Sequence, residues 1–281
     1  MSSVISTKKD KKILFITEFI LFLIAAMIVV PLLLLFLTTF KEASQMFDPF
    51  TKPNFTYFHN YLRAFERVNV PLAFLNSSII TVSTILVNIL ISSLAGFTIS
   101  RSRDKIISKM YFYFILGMII PFQASMVVTY KLGIAMHLLD TRLFLILQYV
   151  AGGCAYAIMI YTGFMKAIPR ELDEAASIDG ASLFRTFFGI IFPLLKPASL
   201  TIASITCFWY WNDFSGPLIY LNGKGKETIQ YSLFLFQNDQ RSAEIGPIYA
   251  LCFIAIFPML IFFFIAQKYL VQGLVAGAVK G

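Results

Sequence analysis

Charge is scarce in this sequence. Asp, Glu, Lys and Arg make up 14% of its 281 residues, against about 25% in soluble globular chains. So little charge cannot clothe a globule of this size in a solvated surface, which excludes a free cytosolic enzyme and a disordered regulator. Cysteine is rarer still. Cys154, Cys207 and Cys252 lie in apolar stretches, without paired spacing or nearby histidines, so neither a disulfide scaffold nor a metal centre is expected. His59 and His137 stand alone in polar linkers. A phosphate-cradling G-x-x-x-x-G-K-[ST] loop is also missing: Gly223-Lys-Gly-Lys226 is followed by Glu227. The chain is therefore not expected to hydrolyse ATP itself.

What fills the sequence instead is apolar. Hydrophobic residues reach 58%, with 30 Phe and a mean hydropathy of +0.76, the composition of an integral membrane protein. A helix needs about 20 mostly apolar residues to cross the hydrocarbon core, and six segments qualify: 13–37, 72–99, 110–128, 143–164, 200–221 and 248–266. The fold class expected is an all-α membrane protein with six transmembrane helices. The first segment is too long for a cleaved signal peptide and reads as a retained anchor. Pro31, Pro121, Pro217 and Pro258 interrupt the spans, which membrane helices tolerate when a packed bundle satisfies the freed carbonyls.

The basic residues set the orientation. With the N-terminus inside, 14 of the 23 Lys and Arg fall on the cytoplasmic side, so the positive-inside rule places both termini in the cytoplasm. The expected organisation is a tail 1–12, a transmembrane domain 13–268 and a tail 269–281, with an inner loop 166–197 and outer loops 40–71 and 222–247. The net charge of +8 is then mainly topological, and nucleic acid is an unnecessary partner. In the second span, Ser77, Thr81, Thr84, Asn88 and Ser92 recur every three or four residues and share one helix face. Such a stripe serves either close helix packing or the lining of a hydrophilic path, so Ser77, Thr81 and Asn88 are path candidates.

The inner segment from Lys166 to Ser182 differs from the rest. Its pattern predicts a short helix, with Pro169 at the first helical position and Gly180 as the left-handed residue after the last turn. Glu171, Asp173 and Glu174 occupy the first turns, where the helix dipole favours negative charge. Ala175 and Ala176 leave the middle free of bulk, while Leu172, Ala176 and Ile178 offer an apolar face. Membrane-surface helices are usually rich in Lys and Arg, and an acidic helix suits an anionic inner leaflet poorly. A docking knob for a soluble partner is the better reading.

The run from Glu171 to Ser182, followed by Ile191-Phe-Pro193-Leu-Leu-Lys-Pro197, resembles the EAA loop of bacterial ABC importer permeases. Ile120-Pro121-Phe-Gln123-Ala is similar to the third-helix signature of sugar permeases. Trp211-Asn212-Asp213-Phe214 with Pro217-Leu218 is similar to a signature of the maltose-permease type, as is the ending Gly273 to Gly281. Together they extend over nearly the whole chain. The resemblance is to the shorter permease of a carbohydrate importer, of the maltose or oligosaccharide type, with a MetI-like fold.

That resemblance implies a multi-pass protein of the bacterial cytoplasmic membrane, paired with a second homologous permease. Two ATPase subunits and an extracytoplasmic sugar-binding protein would complete the assembly in the lipid bilayer. The chain would bind no cofactor of its own, with ATP and Mg on the partner ATPase. Glu171, Glu174, Ala175, Ala176, Asp179 and Gly180 would make the coupling contact. Asp213 reads as an acid well inside a span, a functional candidate because burying it is expensive. Trp211 and Asn212 beside it offer a stacking face and an amide, although all three could instead fix helix contacts at the interfacial belt. In the loop 222–247, Lys224, Lys226, Gln237, Asn238, Asp239 and Gln240 give polar reach; Lys224, Lys226, Gln237 and Asn238 are candidates for touching the binding protein, or the loop is a solvated connector. A permease of the same fold for a non-sugar solute, a membrane enzyme and a channel are the alternatives.

Overall fold

A computed structural model describes residues 8–239 and 244–278; Gln240, Lys280 and the last three residues of the Gly273 to Gly281 motif lie outside them. The described residues are helical almost throughout. In chain order the helices are α1 (Lys8–Thr38), α2 (His59–Arg67), α3 (Val70–Arg101), α4 (Lys105–Gly117), α5 (Phe122–Ala135), α6 (Arg142–Met165) and α7 (Glu171–Ile178). There follow α8 (Leu183–Thr186), α9 (Phe192–Leu194), α10 (Lys196–Asn212), α11 (Ser215–Tyr220), α12 (Ile229–Asn238) and α13 (Ile245–Ala278).

Among the described residues, four helices are long and apolar enough to cross a membrane: 11–38, 70–101, 142–165 and 245–267. Counting each of two bent pairs as one span raises that number to six. The bent pairs are where the structure departs from the expected spans. The stretch 110–128 breaks between Gly117 and Phe122, because Pro121 cannot continue α4 and instead takes an extended conformation at the start of α5. The expected span 200–221 ends early, at Asn212. Its helix is preceded by the run Leu183–Leu194, which holds a π-helical turn Phe187–Ile191 and meets Lys196–Asn212 at 69°.

The chain divides into two compact units. One comprises residues 1–68 and 236–256. In it α1 is exposed along its apolar length and is not covered by its own chain. After α1 the backbone turns around a buried lysine: Lys41 is 1% exposed and its ammonium donates to the carbonyls of Asp48 (2.8 Å) and Pro49 (3.2 Å). The Asn60 amide donates to the carbonyls of Thr39 and Lys41, each at 2.9 Å, fixing α2 on that turn.

The other unit comprises residues 69–235 and 257–281 and carries the candidate sites. Helix α3 packs on α6 through small residues. A Cβ on Gly96 would stand 2.8 Å from Tyr161 Cβ, so the two backbones approach too closely for alanine. At one end of the pair, Phe97, Tyr161, Met165, Phe187, Ile191 and Ile202 form an apolar core. At the other, Ile80, Phe144, Leu145, Tyr149, Tyr210 and Tyr220 form a second.

Candidate functional sites

The polar stripe of α3 is buried between these helices. Ser77, Thr81, Thr84, Asn88 and Ser92 are all 3% exposed or less. Ser77 Oγ accepts the backbone N–H of Ile229 (2.9 Å), Ser92 donates to Asn88 Oδ1 (2.7 Å), and the Asn88 amide donates to the Tyr210 hydroxyl (3.2 Å). Within this chain the stripe lies in helix contacts. Ser77, Thr81 and Asn88 do not reach the cavity described next.

That cavity, of about 500 Å³, lies among α5, α6, α10 and the segment leading into α11. Its polar lining comes from Gln123, Gln148, Asn212 and Ser215, and its aromatic lining from Phe122, Tyr149, Phe208, Trp209 and Tyr210. The Pro121 break puts Phe122 and Gln123, two residues of the third-helix signature, on this wall. Asn212 and Asp213 also border it, whereas Trp211 does not: it is buried and meets Phe74 edge-on at 5.2 Å. The neighbouring Trp209, half-exposed, presents its ring to the cavity instead.

Asp213 is not within a helix but in the break after α10. Its carboxylate is consumed by local structure. Oδ1 accepts from the N–H and hydroxyl of Ser215, and Oδ2 accepts from the N–H of Gly216 (3.0 Å) and the hydroxyl of Tyr149 (2.6 Å). Those bonds cap the first turn of α11 and explain why the apolar run 200–221 cannot stay one helix. Gln148, Tyr149, Trp209 and Tyr210 were missed in the sequence. The available signal was Gln148, a polar side chain inside the apolar run 143–164.

The second candidate site is α7. The helix starts at Glu171, so Pro169 lies just before it rather than at its first position. Its end is as the sequence predicts. Gly180 has φ +75°, its N–H bonds to Ser177 O (3.1 Å), and Ala181 N–H bonds to Ala176 O (2.9 Å), the Schellman pattern that satisfies orphan carbonyls. Glu171, Glu174, Ala175, Asp179 and Gly180 are exposed, and Ile178 is 86% exposed. Ala176 departs from its expected role: at 4% exposed it packs on its own chain, because it shares the inward face with Asp173. Asp173 Oδ2 lies 2.7 Å from Arg101 Nε at the end of α3. The Nε–H is not aimed along that line, so the contact is a charge pair rather than a hydrogen bond.

In the loop 222–247, Lys224, Gln237 and Asn238 are exposed. Lys226 is tied down: its ammonium lies 2.7 Å from both the carbonyl and Oδ2 of Asp140. Asp140 Oδ1 also accepts the N–H groups of Asn222 and Gly223 (2.9 and 2.8 Å). Led by the Lys226 hydrogen bond, these partners hold the Asp140 carboxyl below its ordinary pKa.

The model of the family "Binding-protein-dependent transport system inner membrane component" matches residues 88–275. A multiple sugar-binding transport system permease of Streptococcus mutans is 35% identical over 97% of this chain and 100% of its own. The melibiose, raffinose and stachyose import permease of Bacillus subtilis is 33% identical over 90% of this chain and 91% of its own. Among solved structures, a chain of a bacterial ABC transporter that imports the acidic polysaccharide alginate superposes with a TM-score of 0.83. At 20% identity, it covers 95% of this chain and 99% of that one. The family is one of transport components rather than enzymes. The chain belongs to the family of binding-protein-dependent transport system inner membrane components.

Proposed function

We propose that this chain is one of two paired permeases of an ATP-driven importer for a carbohydrate, with both termini in the cytoplasm. An extracytoplasmic binding protein delivers the sugar, and the partner ATPases hold the ATP and Mg. The observation that carries the sugar assignment is the cavity at Asn212 and Gln123. Amide groups that donate and accept, set among flat aromatic rings, suit the hydroxyls and apolar faces of a pyranose. Asp213 and Tyr149 shape its wall. The two relatives named above carry sugars in their names, which supports the same class of solute.

Helix α7 is the docking element for the ATPase in this reading, through Glu171, Glu174, Ala175, Ile178 and Asp179, with Gly180 fixing its end. Lys224, Gln237 and Asn238, exposed in the loop 222–247, are the side chains placed to touch the binding protein. Uptake of radiolabelled raffinose and maltodextrin by cells lacking this chain, with and without a plasmid copy, tests the solute class. Restored uptake of either sugar is expected. Uptake unchanged by loss of the chain, for these and for a panel of unlabelled competing sugars, would assign another solute.

A further inference from the structure

We infer that Arg101 is a positioning residue that passes the movement of α7 sideways into α3, and through α3 to the cavity wall. The inference rests on α7 being the ATPase docking element. Covalently, α7 follows α6 and precedes α8, so the obvious route for its motion is along the chain. The packing offers a second route. Arg101, the last residue of α3, reaches across to α7 and pairs with Asp173, their side chains 14% and 21% exposed. The same guanidinium donates to the Ile168 carbonyl (3.1 Å) in the linker before α7. From the other side, Arg170 at the head of α7 donates to the Ser100 carbonyl of α3 (3.0 Å).

These polar links bridge a gap. A cavity of about 520 Å³ opens beside them, bordered by Phe97, Arg101, Asp173 and Phe187, so no apolar layer fills that side of the junction. With side chains only 14% and 21% exposed, the charge pair is screened less than a fully exposed one. Pulling α7 therefore pulls the end of α3.

At the other end of the route, Asn88 lies 13 residues from Arg101, about 20 Å along a rigid helix. Its amide donates to the Tyr210 hydroxyl (3.2 Å), which donates to the Tyr149 carbonyl (3.2 Å). The rings of Tyr149 and Tyr210 stack at 5.0 Å and both face the cavity. Tyr149 in turn holds Asp213. A displacement of α3 thus reaches the wall through buried hydrogen bonds rather than through soft contacts.

The test uses the assembled importer and a reporter in the cavity. Gly152 borders it, and a Cβ there meets nothing within 4 Å, so Gly152→Cys is tolerated. Maleimide labelling of residue 152, read by mass spectrometry with and without ATP, measures the response of the cavity to the ATPase. With the pair intact, ATP is expected to change the labelling rate about fivefold or more, the usual span of coupling between sites. Arg101→Gln and Asp173→Asn are expected to reduce that change to under about twofold, while the ATPase still co-purifies and hydrolyses ATP at its basal rate. Asp173→Glu, which keeps the charge, is expected to retain the response. A parental response in Arg101→Gln and Asp173→Asn would overturn the inference, as would loss of the ATPase from those complexes. Absence of any ATP response with the pair intact would overturn the docking role of α7 instead.

Discussion

The acids of α7 and the acid beside the cavity behave in opposite ways. Glu171, Glu174 and Asp179 are exposed around a short helix whose C-terminal end is satisfied by its own backbone. Asp213 accepts from Ser215, Gly216 and Tyr149, which leaves its carboxylate committed to the turn between α10 and α11. Both places drew attention because charge is rare in the chain. The difference teaches that rarity marks a place worth attention, while the occupancy of the carboxylate oxygens decides between a surface for a partner and an internal cap.

The largest effect that would break this contrast lies at α7. With α7 as the proposed docking element, Glu171→Lys with Glu174→Lys reverses the charge it presents to the ATPase, and uptake is expected to fall by about 100-fold or more. Membrane levels and thermal unfolding in detergent should stay as before, because neither side chain holds the fold. Next comes Asp213→Ala, which strips the cap from α11 and leaves the Tyr149 hydroxyl and two N–H groups without their acceptor. A loss of about 2–4 kcal/mol of stability is expected, read as an earlier unfolding transition. Asp213→Asn keeps one carbonyl oxygen and should lose less.

A smaller effect sharpens the account of helix packing. Gly96→Ala forces a Cβ to 2.8 Å from Tyr161 Cβ and is expected to cost about 1–3 kcal/mol. Gly152→Ala, with open space around it, should leave stability unchanged. The smallest effect concerns pH. Folding lowers the Asp140 pKa from 3.8, chiefly through the Lys226 hydrogen bond. The stability this pair contributes is present above the unfolded value and is lost as pH falls through the folded one. The thermal unfolding transition should therefore move to lower temperature on acidification below about pH 4, and Asp140→Asn should remove that part of the pH dependence.

Much of this was legible in the sequence because it is local. The apolar runs 13–37, 72–99 and 143–164 correspond to α1, α3 and α6, and Gly180 announced the end of α7 through its backbone alone. The breaks were harder to place. A window average over 200–221 sees only apolar residues, whereas the chain turns at Asp213 because its carboxylate competes for the backbone N–H groups of Ser215 and Gly216. Likewise nothing local says that Ala176 faces inward or that Trp209, rather than Trp211, borders the cavity. Those facts depend on which neighbours fold against each helix. Arg101 carried no local signal beyond its basic charge; its pairing with Asp173 needs α3 and α7 to meet.

The most direct measurement is the recovery of the ATPase when the assembled importer is purified through this chain, compared between the parent, Glu171→Lys with Glu174→Lys, and Asp213→Asn. If the exposed acids are the docking surface and the cavity acid is an internal cap, the α7 variant loses the ATPase while Asp213→Asn retains it at the parental ratio. Parental recovery of the ATPase by the α7 variant would contradict that division of roles.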